Sequence, residues 1–369
     1  MARPAGRFFL PGPTEVHPDV LQAQARPPIG HRGPEMRDLM SAVQPGLQGL
    51  CGTRRPVIVS TSSATGLMEA AVRGGVARRL LCLVNGAFSQ RFADIAEMCG
   101  VPHEALEVRW GEVHTPGAVA DRLAAGHFDA VSMVHSETST GALNDIPALV
   151  QAVRQFRGVQ VLVDSVTGIG GAPFRFDEWG VDFAVTGSQK ALALPPGLAF
   201  GVASEAFLER ARDRPGRGMY LDVERVYAQL EKQQTPTTPA VTLMYALQTQ
   251  LQRIQAEGLE ARWARHRALA KRSWSWVDGL RRELDAGFRV LAPLGARSPT
   301  VTCVRMPEGL PGPDVVRRAA ERGWVIGGGY GKLKPSSVRI GHMGDHSMEA
   351  LDALLAVLDE TLAAMEVRS

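Results

Sequence analysis

The chain has 369 residues, roughly two to three times the length of a typical domain, so two domains with large buried cores are expected. It carries 41 Lys and Arg against 38 Asp and Glu, and this surplus is too small to indicate a nucleic-acid partner. No stretch approaches the roughly 18 consecutive apolar residues of a membrane span. The four cysteines lack metal-ligand spacing, so we expect reduced thiols in a globular, cytoplasmic protein with no membrane partner.

Between residues 56 and 204, short apolar runs alternate with helical patterns. This alternation predicts an α/β fold with a mostly parallel central sheet covered on both faces by helices. The predicted strands are Val57–Ser60, Leu80–Val84, Ala105–Val108, Ala130–His135, Val159–Asp164, Phe183–Thr186 and Leu198–Ala203. The predicted helices between them are Leu67–Val76, Phe88–Cys99, Val119–Ala125 and Ile146–Phe156.

The pattern changes after Glu205. Residues 214–239 are rich in Pro, Gly, Thr and Gln, which is typical of an ordered excursion or a domain junction. Helical periodicity then runs over residues 241–284 with a break at Gly258. A small α+β unit closes the chain, with predicted elements Thr300–Arg305, Pro313–Glu321, Trp324–Ile326, Val338–Ile340 and Met348–Met365. We therefore predict a large domain over residues 15–245 and a small C-terminal domain over residues 246–369, with residues 1–14 packing nearby.

Several familiar motifs are absent from the sequence. No G-x-G-x-x-G follows the first strand and no G-x-S-x-G is present, so neither a dinucleotide fold nor a nucleophile elbow is indicated. The segment G-G-G-Y-G-K at 327–332 resembles a phosphate loop but fails the Walker spacing. His342, Asp345 and His346 form a loose cluster, which we interpret as surface polar residues rather than a metal site.

Three polar features follow predicted strands of the large sheet. Asp164 ends one strand, Lys190 follows another within T-G-S-Q-K, and a small polar loop at 60–66 opens the first helix. A lysine among small and apolar residues is partly desolvated, which lowers the pKa of its amine as a Schiff base requires. An Asp suits a protonated ring nitrogen, and a helix N-terminus suits a phosphate. Each feature alone is typical of surface or capping residues, but together they favour pyridoxal phosphate.

The order of these features resembles the class V aminotransferases. The resemblance depends on L-P-G-P-T at 10–14, I-G-H-R at 29–32, H-S-E-T-S-T-G at 135–141, V-D-S at 163–165 and G-S-Q-K-A at 187–191. Within this family the chain is similar to the alanine/serine–glyoxylate (serine–pyruvate) subgroup, from about residue 9 to residue 344. The resemblance implies the pyridoxal-phosphate-dependent fold type I, which is aspartate-aminotransferase-like, and a homodimer with shared active sites.

The same resemblance implies a role for each candidate site residue. Lys190 would form the internal aldimine with pyridoxal 5'-phosphate, and Asp164 would pair with the pyridine nitrogen. Arg339 would clamp the substrate α-carboxylate as a bidentate fork. The remaining cofactor contacts would be Thr138 near the phenolic oxygen, Phe88 stacked on the ring, Gln189, Ala64 and Thr65 at the phosphate, and Thr238 at the phosphate of the neighbouring subunit.

This assignment implies a transaminase that moves an amino group from a small amino acid, with alanine or serine favoured, to glyoxylate, pyruvate or a similar 2-oxo acid. Aspartate stays open as the donor, because a second carboxylate needs only one additional Arg or Lys. A desulfurase or hydrolase of the same fold is a further alternative, although the loop 327–337 lacks the cysteine that a desulfurase needs. A non-enzymatic binding protein of the same fold is the third alternative. His31 and Arg32 could line either the entrance to the substrate site or an interface.

Overall fold

Within residues 6–365, which the computed structural model describes, seven strands form the central sheet. These strands are β2 (Ile58–Ser60), β3 (Leu80–Val84), β4 (His103–Glu107), β5 (Ala130–Val134), β8 (Gln160–Asp164), β9 (Phe183–Gly187) and β10 (Ala199–Ala203). Their order is β2-β10-β9-β8-β5-β3-β4, and only β10 runs antiparallel to its neighbours. The predicted mostly parallel sheet is therefore confirmed.

Helices surround this sheet and contribute apolar side chains to the core that they share with it. They are α1 (Pro18–Ala23), α2 (Pro34–Cys51), α3 (Ala64–Gly75), α4 (Ala87–Met98), α5 (Pro116–Ala124), α6 (Ile146–Val153), α7 (Phe176–Trp179), α8 (Glu205–Arg212), α9 (Val223–Leu230) and α10 (Val241–Glu257). Thr115, Asp145 and Ser204 each accept a hydrogen bond from the N–H three residues further on, and so begin α5, α6 and α8. One hydrophobic core extends from Val20 in α1 to Ile254 in α10.

A second sheet forms around a separate core. It contains β1 (Phe8–Phe9), β11 (Arg289–Val290), β12 (Val301–Arg305), β13 (Val325–Gly328) and β14 (Ser337–Gly341). Its order is β1-β13-β14-β12-β11, so the N-terminal strand pairs with the C-terminal part of the chain. Its core also receives side chains from α11 (Leu259–Glu283), α12 (Gly312–Glu321) and α13 (Met348–Ala363). The division of the chain at residues 245 and 246 stays a prediction.

Some elements differ from the sequence-based expectation. Helix α2 was missed, because Pro45, Gly46 and Gly49 within it hide the helical pattern. Helix α9 lies inside the segment 214–239, which is therefore not a continuous excursion. A short hairpin of β6 (Ser136–Glu137) and β7 (Ala142–Leu143) follows β5, so the strand predicted to end at His135 already ends at Val134.

Candidate active site

A cavity of about 170 Å³ lies where the polar loops of the central sheet meet. Because parallel strands end at one edge of a sheet, their following loops collect there. Seven of the nine candidate site residues line this cavity: Ala64, Thr65, Phe88, Thr138, Asp164, Gln189 and Lys190. The other lining residues are Ser63, Met68, Arg91, Val166 and Thr167.

Lys190 follows β9 and is almost fully buried, with 9% of its surface exposed. Its Nζ donates a hydrogen bond to the Pro11 carbonyl oxygen at 2.8 Å. Burial lowers the pKa of the amine to about 8, and the nearby Arg339 cation adds to this effect. Gly12 has a φ of +112°, and a Cβ there would lie 2.2 Å from the lysine Nζ. A glycine is therefore required where the N-terminal segment crosses the lysine.

Asp164 is the last residue of β8, and 4% of its surface is exposed. Its Oδ1 accepts a hydrogen bond from the Val166 N–H at 2.8 Å. Burial raises the pKa of this carboxyl to about 7, although the hydrogen bond from Val166 opposes the shift. A buried carboxyl group is ionised most readily when a cationic N–H donor lies beside it.

Phe88 is positioned by Glu137, a fully buried carboxylate that the sequence interpretation did not single out. Glu137 Oε2 accepts from the backbone N–H of Phe88 at 3.1 Å and from that of Ser89 at 2.8 Å. Its Oε1 accepts from the N–H and the hydroxyl of Ser139 at 3.1 and 2.6 Å. A carboxylate at a helix N-terminus is stabilised by the unpaired amides and the helix dipole. It thereby fixes the first turn of α4, which carries Phe88.

Another part of the cavity lining can hold an anion. Ser63, Ala64 and Thr65 form the N-terminus of α3, a twelve-residue helix. Arg91 adds a cation, since its Nη1 donates to Thr65 Oγ1 at 3.4 Å and its guanidinium lies 4.8 Å from the centre of the Phe88 ring. A helix N-terminus with an adjacent guanidinium suits a phosphate group. Arg91 was missed as a site residue, although it lies in the N-G-A-F-S-Q-R segment at 85–91.

Two threonine hydroxyls belong to the residues that line the cavity. Thr138 Oγ1 and Thr167 Oγ1 form a short hydrogen bond with each other. Thr138 follows β6, whereas Thr167 follows the strand that ends in Asp164. The sequence predicted Thr138 but not Thr167, because no spacing rule relates residues 29 positions apart.

Arg339 approaches from the second sheet and does not line the cavity wall itself. It lies in the middle of β14, 8% exposed, and burial lowers the pKa of its guanidinium. Its Nε donates to the Gly328 oxygen at 2.8 Å and its Nη1 to the Thr138 oxygen at 3.2 Å. Within residues 6–365 its Nη2 has no hydrogen-bond acceptor, so that amino group is available to a carboxylate.

Three other predicted residues lie apart from the cavity. Thr238 is exposed and does not line it. Arg32 donates through Nη1 and Nη2 to the backbone oxygens of Thr235 and Pro236, at 2.6 and 3.3 Å, and so ties two loops of the same chain. His31 is half-buried beside it.

The cluster at residues 342–346 corrects an earlier expectation. His342 and His346 are 0% and 4% exposed, so they are not surface residues. Burial lowers their pKa values to about 3 and about 4. Asp345 instead pairs with the buried Arg262 at 2.9 Å. Among the described residues, no group of three or more His, Cys, Asp or Glu could hold a metal ion.

These residues fit pyridoxal phosphate by their chemistry. A buried amine with a lowered pKa, a buried carboxyl, an aromatic ring and an anion site line one cavity. Lys190, Arg91 and Arg339 surround it with positive charge, which favours an anionic ligand. In the part of the chain that is described, no helix is long and apolar enough to cross a membrane.

A model of the family "Aminotransferase class-V" matches residues 21–326. The chain belongs to the class-V aminotransferase family. It is 34% identical to the L-aspartate–glyoxylate aminotransferase of Paracoccus denitrificans, covering 91% of this chain and 86% of that protein. It is also 34% identical to the soluble hydrogenase small subunit of a Synechococcus species, covering 96% and 93%. The solved alanine–glyoxylate aminotransferase of a Nostoc species has a TM-score of 0.90 and 31% identity, covering 98% of this chain and 96% of that one.

The family membership confirms the predicted fold type I and a pyridoxal-phosphate-dependent transaminase. The individual roles of Lys190, Asp164, Arg339 and the other site residues stay predictions, and so does the homodimer.

Proposed function

We propose that this class-V aminotransferase moves an amino group from a small amino acid, alanine or serine first, to glyoxylate, pyruvate or a similar 2-oxo acid. The observation that supports this proposal is that Lys190 lines the cavity while Arg339 lies next to it, hydrogen-bonded to the backbone of the lining residue Thr138. An α-amino acid carries its amino group and its carboxylate on one carbon, and the two side chains offer a partner to each. Lys190 Nζ lies 5.9 Å from the centre of the Phe88 ring, and Arg339 donates to the backbone of Thr138, which lines the same cavity as Phe88.

When bound, pyridoxal phosphate supplies an aldehyde that takes up amino groups and a ring that stabilises negative charge at the substrate Cα. Lys190 would hold the cofactor covalently through Nζ and would move the proton from and to the substrate Cα once its amine is free. A pKa of about 8 suits this exchange, because the amine can release and accept a proton near neutral pH. The Pro11 carbonyl oxygen, 2.8 Å away, fixes the direction of the amine.

The other residues would orient the cofactor. Asp164 would keep the ring nitrogen protonated, and that charge would in turn keep the carboxylate ionised. Phe88 would cover one face of the ring, in a position fixed by Glu137. The N-terminus of α3, Gln189 and Arg91 would bind the phosphate. Arg339 would bind the α-carboxylate through its Nη2 amino group, which has no acceptor within residues 6–365.

Aspartate is the second candidate donor, since a relative with 34% identity is named L-aspartate–glyoxylate aminotransferase. A desulfurase is less well supported. Among the described residues, no cysteine lines this cavity. Cys303 is buried in β12, where burial raises the pKa of its thiol to about 11 and keeps it unreactive.

We also propose that the chain acts as a homodimer. Thr238 is exposed on its own chain and is not part of the cavity lining, as a residue that serves a partner's phosphate site would be.

A half-reaction screen tests the proposed function. The purified protein is loaded with pyridoxal phosphate, and its visible absorbance is followed while alanine, serine or aspartate is added without an acceptor. We expect alanine or serine to remove the absorbance and glyoxylate to restore it, whereas Lys190→Ala should show neither change. A response to aspartate alone would establish the second candidate instead. A separate incubation with cysteine that releases sulfide, without amino transfer from any of the three donors, would contradict both.

A further inference from the structure

The G-G-G-Y-G-K segment at 327–332, which fails the spacing of a phosphate loop, begins in β13 and continues into the loop that leads to β14. Tyr330 of this loop lies close to the candidate site. The Tyr330 ring lies 5.2 Å from the Phe88 ring and 5.5 Å from the Arg339 guanidinium carbon, centre to centre. The side chain is 40% exposed. Tyr330 therefore lies near both Phe88 of the large-sheet part and Arg339 of the small sheet, and part of its side chain is exposed to solvent.

The loop is built to hold this ring in place. A Cβ on Gly329 would lie 2.2 Å from the Leu333 oxygen, so the turn before Tyr330 is closed. The Tyr330 carbonyl oxygen accepts from the Leu333 N–H at 3.0 Å. On the far side, Lys332 Nζ lies 4.4 Å from the Trp110 ring centre, which attaches the loop to the segment after β4.

The position of the ring determines what it meets. An amino acid whose carboxylate contacts Arg339 and whose nitrogen reaches Lys190 passes beside Phe88, because these groups surround it. Its side chain is the one part without an assigned partner. The Tyr330 ring contacts both Phe88 and Arg339, and its partly exposed side chain places a bulky group near the opening of the site.

We propose that Tyr330 is a specificity-determining residue, whose ring limits the length of the substrate side chain. This inference rests on the proposed function and adds to it a limit on the size of the substrate side chain. A rigid aromatic wall resists one or two additional methylenes, and each methylene typically changes specificity by about 10- to 200-fold in a closed pocket. The ring also contacts the Arg339 guanidinium. Because an aromatic ring does not neutralise a cation, Tyr330 can limit the substrate side chain while Arg339 keeps its charge for the carboxylate.

The test compares straight-chain donors of increasing length: alanine, 2-aminobutyrate and norvaline, with glyoxylate as the fixed acceptor. We expect Tyr330→Ala to raise the ratio of kcat/KM for norvaline to that for alanine by at least about tenfold. Tyr330→Phe keeps the ring and should preserve the wild-type ratio. Lys334→Ala is the matched control, because it removes an exposed side chain of the same loop and leaves Tyr330 and the Lys332–Trp110 contact intact, and it should preserve the ratio.

A binding measurement gives a second readout that needs no turnover. Calorimetry measures the affinity of the cofactor-loaded protein for propionate and for valerate. Tyr330→Ala should raise the affinity for valerate relative to that for propionate, again by about tenfold. A ratio within threefold of wild type in both measurements would overturn the inference, and so would a Tyr330→Phe variant that behaves like Tyr330→Ala. If wild type transaminates no donor, the proposed function fails by itself, and the binding measurement still decides the role of Tyr330.

Discussion

The central sheet and the small sheet contribute to the same site in different ways. The central sheet supplies Asp164 and Lys190 at or just after the ends of β8 and β9, where parallel strands leave their loops together. The small sheet supplies Arg339 from the middle of an antiparallel strand, where a side chain normally belongs to the core. Its cross-strand neighbours are Cys303 and Gly327, and both are small.

This difference shows how a cation can be placed inside a strand. The small neighbours leave room for the guanidinium, whose Nε is satisfied by the Gly328 oxygen. A buried cation without such acceptors would be costly. The central sheet needs no such arrangement, because its polar residues follow the strands. Variants on the two sides should therefore fail differently: those of the central sheet in the chemical step, and those of the small sheet in substrate binding.

The largest effect is expected for Lys190→Ala. Removal of the amine removes both the covalent attachment and the proton carrier, so turnover should fall by at least about a thousandfold. Multiple-turnover assays with the preferred donor and glyoxylate measure the loss, with circular dichroism as the check of folding. Lys271→Ala, an exposed lysine of α11, serves as the control and should retain wild-type turnover. Appreciable turnover by Lys190→Ala would contradict the assignment of the chemical step to the central sheet.

Asp164→Asn should have the next largest effect. The amide cannot hold a proton on the ring nitrogen, and loss of a charged partner in a desolvated site costs about 2–4 kcal/mol, or roughly 30- to 1000-fold in rate. The loss should lie in kcat rather than in the affinity for pyridoxal phosphate. Stopped-flow absorbance and cofactor titration separate the two quantities. An unchanged kcat would mean that another group contacts the ring nitrogen.

Arg339→Lys tests whether the small sheet acts in substrate binding. A lysine cannot make two parallel hydrogen bonds to a carboxylate, so KM for both amino and oxo substrates should rise by about 10- to 150-fold, or about 1.5–3 kcal/mol. Absorbance of the loaded protein without substrate should stay normal. If the residue only joins the two sheets, the melting temperature should fall while KM stays unchanged.

The smallest effect expected is a pH dependence of cofactor loading. Only the neutral amine of Lys190 reacts with an aldehyde, and its pKa of about 8 lies below the ordinary value. The loading rate of the cofactor-free protein should therefore rise about tenfold from pH 7 to pH 9 and level off above that. A lysine with an ordinary pKa would give about a hundredfold rise with no plateau. Loading followed by absorbance between pH 6.5 and 10 distinguishes the two curves.

The sequence by itself determined most of the central sheet. Strand Leu80–Val84 has the predicted bounds, because a short apolar run between turns has few alternatives. The motif around Lys190 and Asp164 placed both residues at strand ends, and the fold brings them to one cavity. What each does chemically stays a prediction.

Only the tertiary structure decided the surroundings of these groups. Glu137 meets the start of α4 across 49 positions of the chain, and Thr167 meets Thr138 across 29. The burial of His342 and His346 was likewise invisible, since polar residues give no periodic signal of their own. Tyr330 reaches Phe88 only because two sheets with separate cores pack together. Local spacing fixes which residues share a strand or helix, whereas packing between elements fixes which of them meet, and that depends on the whole chain.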